Sequence, residues 1–427
     1  MGFYKNLLGY FISMMSFKLR LCLFSSLLQY LLSLPQFYQG RFIHHAEGIQ
    51  HFLDDVSVSN THHFIKLTID EYEGFFTQKI DHFNREYNGT FQQRYFINQT
   101  YWNNRIISDD VQDDHQVVFL CVGGEGPALD RSVLVNSVHC NDMVELAPKY
   151  NALLLALEHR YYGPSNPFGR DYSTKSLQYL NSEQALEDIA SFHSFVSTKY
   201  NVSPTAKWVT WGGSYPGMMA ALARLRYPTL ITAAVSSSSP LQPVVDMQGY
   251  NNVVAESMSS VDVGGSTACL DAIVEGHAAI GAELRSDEGI KSLEIQFNIC
   301  TPNTLKDKKN QEVFAGDGVV YLPAQSNDPS CSTAYCNIAA ICTLMTNTTI
   351  GTPIERLATL SAIQNGGKCV NPSYDAMIKY YTVSANPDRS WLYQTCTEWG
   401  FYQTCEVGSK CPYTQVWCNT TVDTWER

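Results

Sequence analysis

The sequence predicts an α/β protein: a largely parallel sheet covered by helices, interrupted by a helical, cysteine-rich segment. Three observations predict it. Short apolar runs at residues 117–122, 152–157, 207–211 and 231–236 read as buried strands. A helix-period stretch starting at Asn181 and Ser182 and ending near Lys199 separates the second run from the third, and strand–helix alternation implies parallel pairing. Beyond about Pro243 strand runs give way to helical patterns, cysteines and loops.

In chain order, residues 1–40 read as a signal peptide or signal anchor. Lys18 and Arg20 precede an apolar run at 21–34 that is too short for a comfortable membrane span. No stable span is expected once it is cleaved. Residues 41–70 are polar and read as an exposed leader. Residues 71–245 are expected to form the sheet domain and 246–427 a helical cap. Residues 75–94 are strand-and-turn material. The strand at 117–122 ends in Gly123-Gly124-Glu125-Gly126-Pro127, a loop that can bring backbone N–H groups close to a ligand. The strand at 152–157 ends in Glu158-His159-Arg160. In the helix to Lys199, Ala185, Ile189, Phe192 and Val196 fall on one face. In the cap, residues 268–284 and 334–345 read as helices.

Composition narrows the function. The chain has 427 residues, with 44% hydrophobic and 12% aromatic residues, enough for a sizeable core. A net charge of −12 argues against a nucleic-acid partner. Of 13 cysteines one, Cys22, lies in the signal segment; an even set remains, which suggests disulfides and an oxidising compartment. Cys121 sits inside an apolar strand and reads as a free core thiol. Zinc at Cys331, Cys336 and Cys342 is disfavoured by their spacing and the absence of nearby histidine. No metal or cofactor is expected. Sequons at Asn88, Asn98, Asn201, Asn347 and Asn419 agree with secretory passage, and so with a lysosomal, endosomal or extracellular location.

The chemistry concentrates in Trp211-Gly212-Gly213-Ser214-Tyr215-Pro216-Gly217. A serine on a sharp turn between a strand and a helix is the nucleophile elbow of an α/β-hydrolase. The glycines leave room for the turn, and the Tyr215 N–H can receive an oxyanion. Pro216 is tolerated in a first helical turn but disfavours the α region for Tyr215, so a strained turn is expected.

Longer motifs resemble the serine exopeptidase family of lysosomal Pro-X carboxypeptidase and dipeptidyl peptidase II. They are Gln78-Lys79-Ile80-Asp81-His82-Phe83, the Gly123 loop, Leu157-Glu158-His159-Arg160-Tyr161-Tyr162-Gly163, Glu183-Gln184-Ala185-Leu186, the elbow, and Tyr393-Gln394-Thr395-Cys396-Thr397-Glu398-Trp399-Gly400. Tyr250-Asn251-Asn252-Val253-Val254, Gly264-Gly265-Ser266 and residues 391–405 are similar to its thymus-specific serine protease branch. The resemblance implies an α/β-hydrolase sheet with a helical cap, and cleavage of peptides after proline or a small residue. It implies Ser214 as nucleophile, with Tyr215 N–H and a backbone N–H near Gly124 as the oxyanion hole. It implies Glu158 and Arg160 as a structural ion pair, and an aromatic pocket that includes Tyr393 and Trp399. Glu125 is left between loop geometry and binding a substrate amine. The expected partners are a peptide substrate and a second copy of the chain in a homodimer.

An α/β-hydrolase orders its triad serine, carboxylate, histidine. The one histidine after Ser214 is His277, read as an exposed residue of a cap helix. The triad Asp and His are therefore expected beyond Arg427, on a C-terminal part of the core missing from this chain. The alternatives are an inactive secreted binding or decoy protein and a lipase or esterase.

Overall fold

A computed structural model describes residues 72–102, 116–135, 140–316, 318–383 and 386–414. The signal segment at 1–40, the leader at 41–70 and Asn419 lie outside the described residues. The chain divides into two compact units. A sheet unit lies within Phe64–Asp246 and Ile378–Tyr402, and a helical unit within Met247–Met377 and Gln403–Arg427. Ile378–Tyr402, which the sequence reading assigned to the cap, therefore clusters with the sheet.

In the sheet unit, β1 (Glu73–Lys79), β2 (Thr90–Asn98), β3 (Val117–Val122), β4 (Leu153–Leu157), β5 (Lys207–Gly213) and β6 (Ala233–Ser237) form one sheet in the order β1-β2-β4-β3-β5-β6. β1 and β2 run antiparallel to their neighbours, whereas β4, β3, β5 and β6 are parallel. Side-chain alternation divides the core. Phe119, Cys121, Leu154 and Ala156 point to the face covered by α1 (Asn141–Tyr150), through Met143 and Ala147. Val118, Leu120, Leu153 and Leu155 point to the other face, covered by α3 (Ser182–Lys199) and α4 (Tyr215–Arg226); α2 is the short Thr174–Leu177. Covering both faces makes the runs at β3 and β4 continuously apolar, and each buried leucine contributes about 1.5–3 kcal/mol. Asn181 caps α3 by accepting the Gln184 N–H, and the expected face of Ala185, Ile189, Phe192 and Val196 is buried.

Cys121 is not a free thiol. On the α1-facing side of β3 it meets Cys140, which immediately precedes α1, and the two form a disulfide. Cys396 is the free cysteine among the described residues.

Glu158 and Arg160 do not pair with each other. Glu158 accepts from Arg94 (2.6 Å), from the Leu129 N–H (3.0 Å) and from Ser165 Oγ (2.6 Å). Arg160 forks onto Asp188 at 2.7 and 2.6 Å and donates to the carbonyls of Ile80, Tyr179 and Lys79. His82 Nε2 also meets Asp188, at 2.8 Å. Burial opposes the Asp188 charge, but the Arg160 guanidinium wins and holds the carboxyl below its usual range.

The helical unit contains α5 (Gln248–Ser259), α6 (Thr267–Glu283), α7 (Asp287–Gln296), α8 (Lys308–Ala315), α9 (Ile338–Met345) and α10 (Pro353–Gln364) around one apolar core. Ser266, Ser286, Asp307 and Asn337 cap α6 to α9, and Thr352 forms a capping box with Glu355 at α10. Four disulfides join Cys269–Cys342, Cys300–Cys369, Cys331–Cys336 and Cys405–Cys411, so the Cys331, Cys336 and Cys342 sulfurs are all committed. His277 is not exposed: it is fully buried in α6. Its Nδ1–H donates to the Ile273 carbonyl (2.9 Å), and Nε2 accepts the Val319 N–H (3.4 Å). α11 (Tyr374–Thr382) is followed by α12 (Asp388–Gln394) and a π turn, Thr395–Trp399. No helix among the described residues is long and apolar enough to cross a membrane.

Two stability predictions follow from these buried groups. Asp188→Ala leaves the fully buried Arg160 guanidinium without its carboxylate and should cost about 3–5 kcal/mol in denaturant unfolding; a cost near zero would refute the pairing. The second concerns pH. Burial holds His277 at about 4 against the ordinary 6.5. Between those values the unfolded chain binds more protons, so acidification favours unfolding, by about 3 kcal/mol once pH 4 is reached. The parent should lose more stability from pH 6.5 to pH 4 than His277→Gln; parallel profiles would refute the buried neutral imidazole.

Candidate active site

β5 lies between β3 and β6 and carries the chain straight into α4, with Ser214 as the single connecting residue. Ser214 has φ 60° and ψ −131°. A non-glycine residue with positive φ costs on the order of 1–3 kcal/mol and persists where the surroundings over-determine it. The expected strain thus falls on the serine, and Tyr215 begins the helix with Pro216 in its first turn. Glycine is required where helix and strand cross. A Cβ on Gly212 would lie 2.4 Å from the Pro216 carbonyl, and one on Gly217 would lie 2.8 Å from the Gly212 oxygen. The Ser214 N–H donates to the Ser237 carbonyl at the end of β6 (3.0 Å), and its carbonyl accepts the Met218 N–H (3.1 Å). Among the described residues no side chain is hydrogen-bonded to Ser214 Oγ.

The loop after β3 packs against this elbow. A Cβ on Gly124 would lie 2.2 Å from Pro216 Cγ and 3.3 Å from Tyr215 Cδ1. Gly124 and Tyr215, named together from sequence, are thus in contact. The N–H of Tyr215, in the first helical turn, has no intrahelical acceptor.

The Tyr215 ring is fully buried. Its hydroxyl meets His159 Nε2 (2.9 Å) and accepts from Gln394 Nε2 (3.0 Å). Gln394 Oε1 accepts from the Tyr162 hydroxyl (2.5 Å). His159 Nδ1 faces the Arg160 carbonyl (2.7 Å), which can only accept, so Nδ1 carries the proton and Nε2 is the acceptor. Burial lowers His159 to about 4, leaving it neutral in mildly acidic as well as neutral solution. Burial raises the Tyr215 phenol well above its ordinary value, and the carboxylates of Glu398 and Glu125 add to the rise.

The other candidates sort differently. Trp399 packs edge-on against Tyr215 (5.9 Å between centroids) and stacks on Phe401. Glu125 is half-buried and lies close enough for its charge to act on Tyr215. Tyr393 packs with a tyrosine cluster that includes Tyr161, Tyr162 and Tyr172. Glu398, raised by burial, accepts the N–H and hydroxyl of Ser182 at the start of α3. Sequence reasoning quoted His159, Tyr162 and Gln394 within motifs but gave them no role. Their partners are 56 to 232 residues away along the chain, beyond the reach of local periodicity. Asn88, Asn201 and Asn347 are exposed and Asn98 is half-buried.

The chain is similar to known serine peptidases. The chain is 35% identical over 362 residues to the thymus-specific serine protease of Mus musculus, covering 81% of this chain and 67% of that protein. It is 34% identical to the Homo sapiens thymus-specific serine protease, covering 80% of this chain and 66% of that protein. It is 28% identical to the lysosomal Pro-X carboxypeptidase of Bos taurus, covering 76% and 63% respectively. The chain therefore spans about two thirds of the length of the curated relatives it matches. The family model described as Serine carboxypeptidase S28 matches residues 78–425, and the chain belongs to that family of serine peptidases.

Proposed function

We propose that this protein is a serine exopeptidase of the secretory pathway, built on an α/β-hydrolase sheet with a helical cap, that hydrolyses peptide bonds after proline or a small residue. The observation that carries the reading is Ser214, held at φ 60° between β5 and α4. There its hydroxyl is the nucleophile that attacks the scissile carbonyl. The oxyanion that forms is received by the N–H of Tyr215 and a backbone N–H at Gly124. The leaving amine departs, and water releases the acyl group from Ser214.

The base and carboxylate needed to activate the serine come, in this reading, from outside the described residues. His159 has one nitrogen donating to a carbonyl and the other accepting from Tyr215. The ring nitrogens of His277 are equally committed. Trp399 offers a flat apolar wall beside Tyr215 for a rigid proline ring, and Glu125 offers charge for a substrate amine. Tyr393 lies in the cluster of Tyr161, Tyr162 and Tyr172. The disulfides and the sequons at Asn88, Asn98, Asn201, Asn347 and Asn419 fit a lysosomal, endosomal or extracellular glycoprotein.

The test is fluorophosphonate labelling of the full-length protein, with turnover of proline-containing peptides at acidic pH. Ser214→Ala should abolish labelling and lower turnover by about 10⁴-fold or more without unfolding the protein. Labelling that survives the substitution would sink the nucleophile assignment. Faster cleavage of long-chain esters than of any proline peptide favours a lipase, and a folded, unlabelled parent favours an inactive binding protein.

A further inference from the structure

We propose that His159 and Gln394 are positioning residues that hold the oxyanion-binding N–H of Tyr215 in place through its phenol hydroxyl. This rests on the reading of Ser214 as nucleophile and adds two residues to that site. The hydrogen bonds form a chain with one direction. Tyr162 O–H donates to Gln394 Oε1, Gln394 Nε2–H donates to Tyr215 Oη, Tyr215 O–H donates to His159 Nε2, and His159 Nδ1–H donates to the Arg160 carbonyl. The carbonyl at its end fixes the tautomer of His159, and the tautomer fixes the direction of every bond before it. All the side chains are buried: Tyr215 and Gln394 are 0% exposed, Tyr162 2% and His159 5%. A broken link would leave a buried group unpaired.

The chain acts on the elbow because Tyr215 owns both ends of the lever. Its N–H belongs to the peptide that follows the strained Ser214, and its ring is the first side chain of α4. Turning that peptide swings the ring, and the ring is pinned. His159 (5.5 Å), Trp391 (5.7 Å) and Trp399 (5.9 Å) pack around it, and the hydroxyl is tethered from two sides. Gln394 ends α12 immediately before the π turn that carries Trp399, so one local irregularity supplies both a tether and a wall. An oxyanion donor works through preorganisation, and misplacement by about 1 Å costs roughly 10²-fold.

The experiment uses Tyr215→Phe, Gln394→Met and the double variant in the full-length protein. It measures kcat and KM on a proline peptide, the fluorophosphonate labelling rate at Ser214, and the melting temperature. Each single variant should stay folded, label at Ser214 more slowly, and lose roughly 10- to 100-fold in kcat with KM within about 3-fold. The double variant should be no slower than Tyr215→Phe, since both changes act through one hydroxyl. His159→Gln, which keeps an acceptor for the phenol, should retain more activity than His159→Leu. A folded Tyr215→Phe with parental kcat overturns the proposal, and so do effects that multiply in the double variant. If Tyr215→Phe does not fold, Gln394→Met and the two His159 variants give the same decision. Parental kcat in these variants, with labelling still dependent on Ser214, defeats the positioning role alone. A parent without Ser214-dependent labelling removes the peptidase reading and this inference with it.

Discussion

The sheet unit depends on one backbone constraint: β5 must become α4 across a single residue. No loop absorbs the change of direction, so Ser214 takes it at φ 60°. The cost is on the order of 1–3 kcal/mol, and it must be offset on both sides. On the strand side β5 is hydrogen-bonded to β3 and β6 and buries Trp208, Thr210 and Trp211. On the helix side α4 buries Tyr215 through Ala220 as a continuous run. Gly212 and Gly217 let the two meet at backbone contact. The apolar core is thus more than ballast, because it fixes a conformation the serine would not adopt alone.

The tripeptide after β4 distributes buried polarity in three directions. Glu158 gathers Arg94, Leu129 and Ser165; His159 turns to Tyr215; Arg160 turns to Asp188 and three carbonyls. Each charge is paired, which burial demands. The histidine between them is neutral, held so mainly by desolvation, with the Arg160 charge pushing the same way. Neutrality lets a histidine end a one-directional hydrogen-bond chain. A charged ring would present a second donor to the Tyr215 hydroxyl.

Local pattern carried what is local. The runs at β3 and β4, the cap at Asn181, the buried face of α3 and the elbow itself were legible, because each is set by neighbours within a few residues. The grouping of Gly124 with Ser214 and Tyr215, about 90 positions apart, came from the family resemblance and not from local pattern, and the structure shows Gly124 packed against Pro216 and Tyr215. What failed depends on distant partners. Cys121 looked like a core thiol because nothing in a strand announces a cysteine 19 positions later across a helix face. His277 looked exposed because a polar residue on a helix usually is, yet its ring is satisfied by Ile273 and Val319 and stacked edge-on by Tyr413. Glu158 and Arg160 looked like partners because the family resemblance implied a pair, yet both lie past the end of β4 and each takes its partners from distant parts of the chain, Arg94 and Asp188. Ile378–Tyr402 was assigned by its place in the sequence, whereas it belongs with the sheet by packing.

The described histidines explain why the candidate site is built the way it is. His82 is bonded to Asp188, and His193 packs on Trp208, six residues or about 20 Å of strand before Ser214. His159 and His277 use both ring nitrogens. All four serve structure, and the one nearest the elbow serves the residue that follows the serine. In the proposed reading, the sheet unit supplies the electrostatic half of an acyl-transfer site: backbone N–H groups, a strained turn and a tethered tyrosine. That half needs no titrating group and works from preorganised dipoles. In serine hydrolases it retains roughly 10³–10⁴-fold catalysis when the triad is disabled. On that reading, a buried neutral histidine committed to holding such dipoles puts the precision of the fold where the negative charge of the transition state develops.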